Sequence, residues 1–368
     1  RDCAEPAFNY RPGGSAQYIL ALSRFAGAAG GEAGTASPRR FRLGLMASSD
    51  NHYARPGTGF KEFSRRGNTE SQSPPRERNA VTEAFLPPDE EPVARSRPFS
   101  VDAPGFDVFE TERQASFLTT GGLVGVHSAA RDRNAIWEAL ERREVYGTTG
   151  PRILLWFDLL SAPRTRGRSL PMGSEVAMAS EPIFQVRAVG SLVQEPGCPD
   201  YATESLSPER LAHLCKGECY NPGDERRPIT RIEVVRIRPQ ATPGEDVAKL
   251  IDDPWRTFAC DGDPAGCVAL FSDPEFAASG RDAGYYARAC EATAPAINAG
   301  NLRCERDPSR ACVLTSSSSA ASAISGACVR TNPCPGPKGA ADDCLAPHEP
   351  RAWSSPIWVD HAAAGGAG

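Results

Sequence analysis

No run in this 368-residue chain approaches the ~20 apolar residues of a membrane-spanning helix, so no membrane span is expected. Basic charge is not in excess either: 41 Lys and Arg stand against 46 Asp and Glu, a formal net charge of −5. Nucleic-acid binders usually show a basic stripe and a high pI, so no nucleic-acid partner is expected. Histidine is scarce, with five residues at 52, 127, 213, 348 and 361, and no two are spaced as H-x-H. No G-x-S-x-G elbow, P-loop or helix-opening G-x-G-x-x-G occurs, which removes the usual marks of serine-hydrolase and nucleotide chemistry. The chain begins at Arg1 rather than Met, with no charged-then-apolar leader before the first folded-looking segment. A processed product or a fragment accounts for this.

What is present has ordinary globular proportions, 40% hydrophobic and 24% charged, at a length that predicts two domains. Gly (34) and Pro (33) are abundant and point to many turns. Cysteine is unevenly spread. Eleven of the twelve cysteines lie after residue 190. Such clustering fits loop-closing disulfides in an exported protein, hence a periplasmic or extracellular location. Cys260 and Cys267 bracket a turn-forming run, and Cys304/Cys312 and Cys334/Cys344 bracket short loops. The closest pair, Cys215-Lys-Gly-Glu-Cys219, is a C-x₃-C without the matching second pair that a structural zinc site needs.

The pattern of residues predicts a helix from Ser15 to Ala26, a strand from Phe41 to Ala47, and a short buried strand within Thr119–Val126. A second helix is expected over Arg131–Arg143, with Ile136, Trp137 and Leu140 inward. A strand over Ile153–Leu160 follows. Residues 61–100 hold seven basic residues, seven acidic residues and six prolines, and read as an irregular insertion extending to about 110. After residue 160 short β-like runs recur at 183–189, 232–237, 268–271, 285–288 and 357–359, as in an antiparallel sandwich.

The sharpest local element is Asp50-Asn51-His52, at the end of the expected strand. Alternate side chains of an extended segment point the same way, so Asp50 and His52 converge. A carboxylate and an imidazole suit Mn, Zn or Fe. A polar loop is the other reading of D-x-H. His127 reads as a hydrogen-bonded core residue or a third ligand, and Asp261-Gly-Asp263 as a disulfide-closed turn rather than a calcium loop. Trp353 and Trp358 read as core or domain-interface residues.

The run Leu43-Gly-Leu-Met-Ala-Ser-Ser-Asp50-Asn-His52, followed by Arg55-Pro-Gly57, resembles the last metal-binding motif of the polymerase-and-histidinol-phosphatase (PHP) metallohydrolases. Blocks at 121–126, 142–152, 273–276, 285–288 and 351–358 resemble, in order, a bacterial domain-of-unknown-function family with a PHP-like core. The Tyr146-Gly-Thr-Thr-Gly-Pro151 element also resembles the carbaryl-hydrolase group. The resemblance covers roughly residues 15–360. It implies a divalent-metal hydrolase of a phosphate, sulfate or related small-molecule ester, with Asp50 and His52 matching metal ligands. Arg55 and Arg152 match family positions; either could pair an oxyanion bidentately or serve as a structural ion pair.

Such sites also need an N-terminal H-x-H, which is missing here. The chain therefore reads as the C-terminal part of the enzyme. The fold expected is α/β: the end of a distorted (β/α) barrel over 1–157, a disulfide-bearing β domain over 158–360, and a tail over 361–368. The alternative is a non-catalytic secreted binding module with a vestigial metal site.

Overall fold

Burial alternates along Leu154–Leu159 and Ile183–Val189, and both segments are strands whose buried side chains face one core. The computed structural model describes residues 15–25, 38–48, 62–63, 121–163, 165–297 and 345–362. Its strands are β1 (Ser23–Arg24), β2 (Arg39–Arg40), β3 (Leu123–Val126), β4 (Val145–Thr148), β5 (Leu154–Leu159), β6 (Leu170–Pro171), β7 (Glu175–Met178), β8 (Ile183–Val189) and β9 (Leu192–Gln194). Then come β10 (Pro222–Arg226), β11 (Ile229–Ile237), β12 (Ile251–Ala259), β13 (Cys267–Ser272), β14 (Ala283–Glu291), β15 (Ala294–Ile297), β16 (Leu345–His348), β17 (Arg351–Ser354) and β18 (Ile357–His361). The helices are short: α1 (Ala16–Ala21), α2 (Arg133–Glu141), α3 (Asp200–Ser205), α4 (Pro208–Cys215) and α5 (Phe276–Ser279).

An eight-stranded sheet runs β12-β11-β14-β17-β4-β3, with β18 joined to β14 and β7. A four-stranded sheet runs β13-β8-β5-β6. Between them lies the main core. Phe157, Phe184, Phe271 and Tyr285 interlock there, with Phe184 5.4 Å from Phe157, 5.3 Å from Phe271 and 4.7 Å from Tyr285 between ring centroids. A second cluster joins Leu20 and Ala21 of α1 to Val235, Ile237, Leu250, Tyr286 and Trp358. With clusters on both faces, β11 is buried without interruption from Val234 to Ile237, as expected of a strand covered on both sides.

The (β/α) barrel is overturned. Among the described residues strand outweighs helix, 39% against 17%, in several antiparallel sheets without barrel closure. A barrel needs parallel neighbours joined by helices. Here α2 connects β3 to β4, yet these two strands pair antiparallel, and β4 pairs antiparallel with β17. Among the described residues, β18 with β7 is the parallel ladder. Periodicity reports which face a strand buries; it carries nothing about the direction of the neighbour.

Three local expectations also change. Ser15 caps α1 by accepting from Tyr18 N, but the helix stops at Ala21, because Ser23–Arg24 pairs with Arg39–Arg40 and Ser23 N donates to Gln240. Residues 41–48 form no ladder; they are held by Ser355, which accepts from Leu45 N, and by Arg143, which donates to Arg42 O. In α2 Ala139 is buried, while Ile136 and Trp137 are exposed. The strands expected after residue 160 form as β8, β11, β13, β14 and β18. Apart from Glu62 and Phe63, the insertion at 61–110 lies outside the described residues, as do Cys304, Cys312, Cys328, Cys334 and Cys344.

Candidate functional site

A cleft of mixed polar and apolar lining forms where the turn after β4 meets β9 and the segment after α4. Its lining includes Glu62, Leu123, Arg152, Ser191, Gln194, Glu218 and Tyr220, around about 530 Å³ that includes the solvent at its mouth. Each wall has a local cause. Thr148 Oγ1 accepts from Gly150 N at 3.0 Å, and Gly150 takes φ +121°, which favours glycine. Arg351 N donates to Thr149 Oγ1 at 3.0 Å and locks the same turn. The turn delivers Arg152 onto the ring of Tyr220, 3.6 Å from guanidinium carbon to centroid, a cation–π contact.

The opposite wall is stitched by hydrogen bonds from main-chain N–H groups to main-chain and side-chain oxygens. Cys219 N donates to Gly197 O at 3.0 Å, Gly197 N to Glu218 Oε2 at 2.9 Å, and Asn221 N to Gln194 Oε1 at 3.0 Å. A Cys198–Cys219 disulfide joins the loop after β9 to the segment before β10. Behind it, Glu291 is wholly buried. It accepts from Ser191 N and from Ser191 Oγ at 3.1 Å, and burial pushes its carboxyl above the ordinary range. Arg227 pairs bidentately with Glu62, both oxygens at 3.2 Å, and so fixes Glu62 on the cleft.

Of the four residues read from sequence, the structure brings Arg152 to the cleft. Asp50, His52 and Arg55 lie outside the described residues. The described chain before them ends at Ser48, whose carbonyl accepts from Gly122 N at 3.0 Å, next to Leu123 of the cleft wall. It resumes at Glu62, in the same wall.

His127 is half-buried and hydrogen-bonded. Its Nε2 donates to Leu155 O at 2.8 Å and its ring lies 5.4 Å from Tyr146 and 5.9 Å from Trp156. His361 Nε2 meets Ala277 O at 3.2 Å. Trp358 is buried and Trp353 packs against the second core. The turn at Asp261–Asp263 is closed by the Cys260–Cys267 disulfide.

Among the described residues one group of three metal-ligand side chains converges, and it is sulfur: Cys198, Cys215 and Cys219, with ligand atoms all within 4.8 Å of one another. Sequence spacing linked only Cys215 and Cys219. Cys198 joins them because α3 and α4 fold back as a pair.

These features define a β-rich protein built on two main sheets, with a cleft walled by a disulfide, in which no described helix is long and apolar enough to cross a membrane. The chain belongs to the family described as "Protein of unknown function (DUF3604)", whose model matches residues 31–310. No curated protein and no solved structure matches it.

Proposed function

We propose that this protein is a metal-dependent hydrolase of a phosphate, sulfate or related ester, akin to the PHP-type and carbaryl-hydrolase metallohydrolases, working in the periplasm or outside the cell. One observation carries the reading. Of the residues that flank the segment holding Asp50 and His52, Glu62 lines the cleft of Arg152, and Ser48 is hydrogen-bonded to Gly122, the neighbour of Leu123 in the cleft wall. In this reading Asp50 and His52 are two ligands of Mn, Zn or Fe, and Arg152 pairs with an oxyanion of the substrate. Arg55 has the same chemistry to offer. A bound divalent ion lowers the pKa of a water and polarises the ester.

The charge balance of the cleft supports the need for a cation. Glu195 and Glu218 line it beside Arg152, while Glu62 there is offset by Arg227. An anionic ester would meet net repulsion there unless a metal offset it. Two ligands do not hold a catalytic ion tightly, so further ligands are required. The two disulfides support an oxidising compartment.

The test is metal content by plasma mass spectrometry, with hydrolysis of aryl phosphates and aryl sulfates, on protein made from the complete coding sequence. Bound metal and turnover, both lost in Asp50→Ala and His52→Ala, are expected. Arg152→Lys should raise KM more than it lowers kcat. No metal in any form of the protein would overturn the hydrolase and favour a secreted binding module.

A further inference from the structure

Cys215 is the last residue of α4, capped at its start by Ser207 and ended by Lys216 and Gly217, both at positive φ. That reversal returns the chain at once, so that Cys219 comes back beside Cys215. Cys215 is half-buried and in no disulfide, and its thiol donates to Leu211 O at 3.1 Å. Its sulfur lies 3.3 Å from Sγ of Cys219 and 3.7 Å from Sγ of Cys198, which are bonded to each other. A free thiol in van der Waals contact with both sulfurs of a bridge is the arrangement from which disulfides migrate.

We propose that Cys198, Cys215 and Cys219 form a thiol–disulfide exchange site, in which the Cys215 thiolate displaces Cys198 from Cys219. The Cys215–Cys219 bond forms and the Cys198–Cys219 bond breaks. The bonding pair leaves on Cys198, which takes up the proton that Cys215 gave up, so nothing is oxidised or reduced overall. Cys219 is the sulfur attacked because it is the nearer one. The two similar distances show a side-on approach, so the Cys215 side chain swings behind Cys219 before the step.

The consequence reaches the cleft. Cys219 lies in its wall next to Tyr220, on which Arg152 stacks. Moving the bridge releases Cys198 from that wall and closes a five-residue loop, Cys215–Cys219, in its place. The inference stands independently of the hydrolase reading, because it uses no residue assigned to metal or substrate.

The test maps bridges in the native full chain. Protein is held at about pH 8.5, near the ordinary thiol pKa, quenched in acid, capped with a maleimide without reductant, and read by peptide mass spectrometry. Two isomers are expected: Cys215 capped with Cys198–Cys219 bridged, and Cys198 capped with Cys215–Cys219 bridged, within about tenfold of each other. Cys198→Ser should form the Cys215–Cys219 bridge, and Cys215→Ser should hold Cys198–Cys219 alone. Capping at Cys215 only, unchanged on prolonged incubation, would overturn the proposal. So would Cys198→Ser protein that folds, by circular dichroism, with Cys215 and Cys219 both capped. A chain with all three cysteines unbridged and one equivalent of zinc would instead be a thiolate metal centre.

Discussion

At the scale of single residues, the main core is organised around a buried charge. Arg236 donates to Asp273 at 3.0 Å, to Asp252 at 2.9 Å and to Glu275 at 2.9 Å, and lies against Trp255. Asp273 is 1% exposed and also accepts from Tyr285 Oη at 2.7 Å. Removing the guanidinium strands that carboxylate, so Arg236→Ala should cost about 3–5 kcal/mol in urea unfolding, and Tyr285→Phe about 1–3 kcal/mol. Burial and the neighbouring Asp273 push the Tyr285 phenol far above its ordinary range. The block Asp273-Pro-Glu-Phe276 was legible in the sequence as a unit, but its reason was not, because the partner Arg236 lies on another strand.

A second residue-scale prediction concerns acid. Arg281 holds the Glu245 carboxyl at about 2, below its ordinary 4.5, through two hydrogen bonds at 2.6 and 3.0 Å. A depressed carboxyl contributes stability that is fully present above about 4.5 and is lost as pH falls through about 2. The difference in melting temperature between wild type and Glu245→Gln should shrink over that window and stay constant above it.

At the scale of elements, short strands were the most legible feature and helix faces the least. Runs such as 183–189 alternate because one face meets the aromatic core. In α2 the apolar residues misled: Trp137 is 60% exposed, while the small Ala139 makes the close approach. Trp137→Gln should therefore change stability by under about 0.5 kcal/mol, as at other surface sites. The cap of the same helix matters more. Asp132 accepts from Asn134 N at 3.0 Å and Ala135 N at 2.9 Å, and Asp132→Ala should cost about 1 kcal/mol in thermal melts. At the cleft, the turn residues Thr148 to Arg152 were readable as a break, and Arg152 with them. Its partner Tyr220 was not, since nothing local links position 152 to 220.

At the scale of the whole molecule, the larger sheet interleaves distant parts of the chain. β17 lies between β14 and β4, and β18 joins β14 to β7. Deleting residues 345–368 removes an interior strand rather than a tail. The truncated chain should lose its cooperative thermal transition, and a retained transition would show that the smaller sheet folds alone. Sequence texture changed near residue 160 and gave an apparent boundary there. Composition responds to local burial and turns, whereas strand order is set by contacts across two hundred residues, which no window along the chain samples.

That interior placement of β17 bears on how the protein is made. Thr149 and Arg351 are hydrogen-bonded across 202 residues, so β4 is made long before the strand that covers it. Until then the edge of β4 that β17 covers has no partner. Pairing at such range pays its loop-closure entropy before any contact rewards it, and so comes late and slowly.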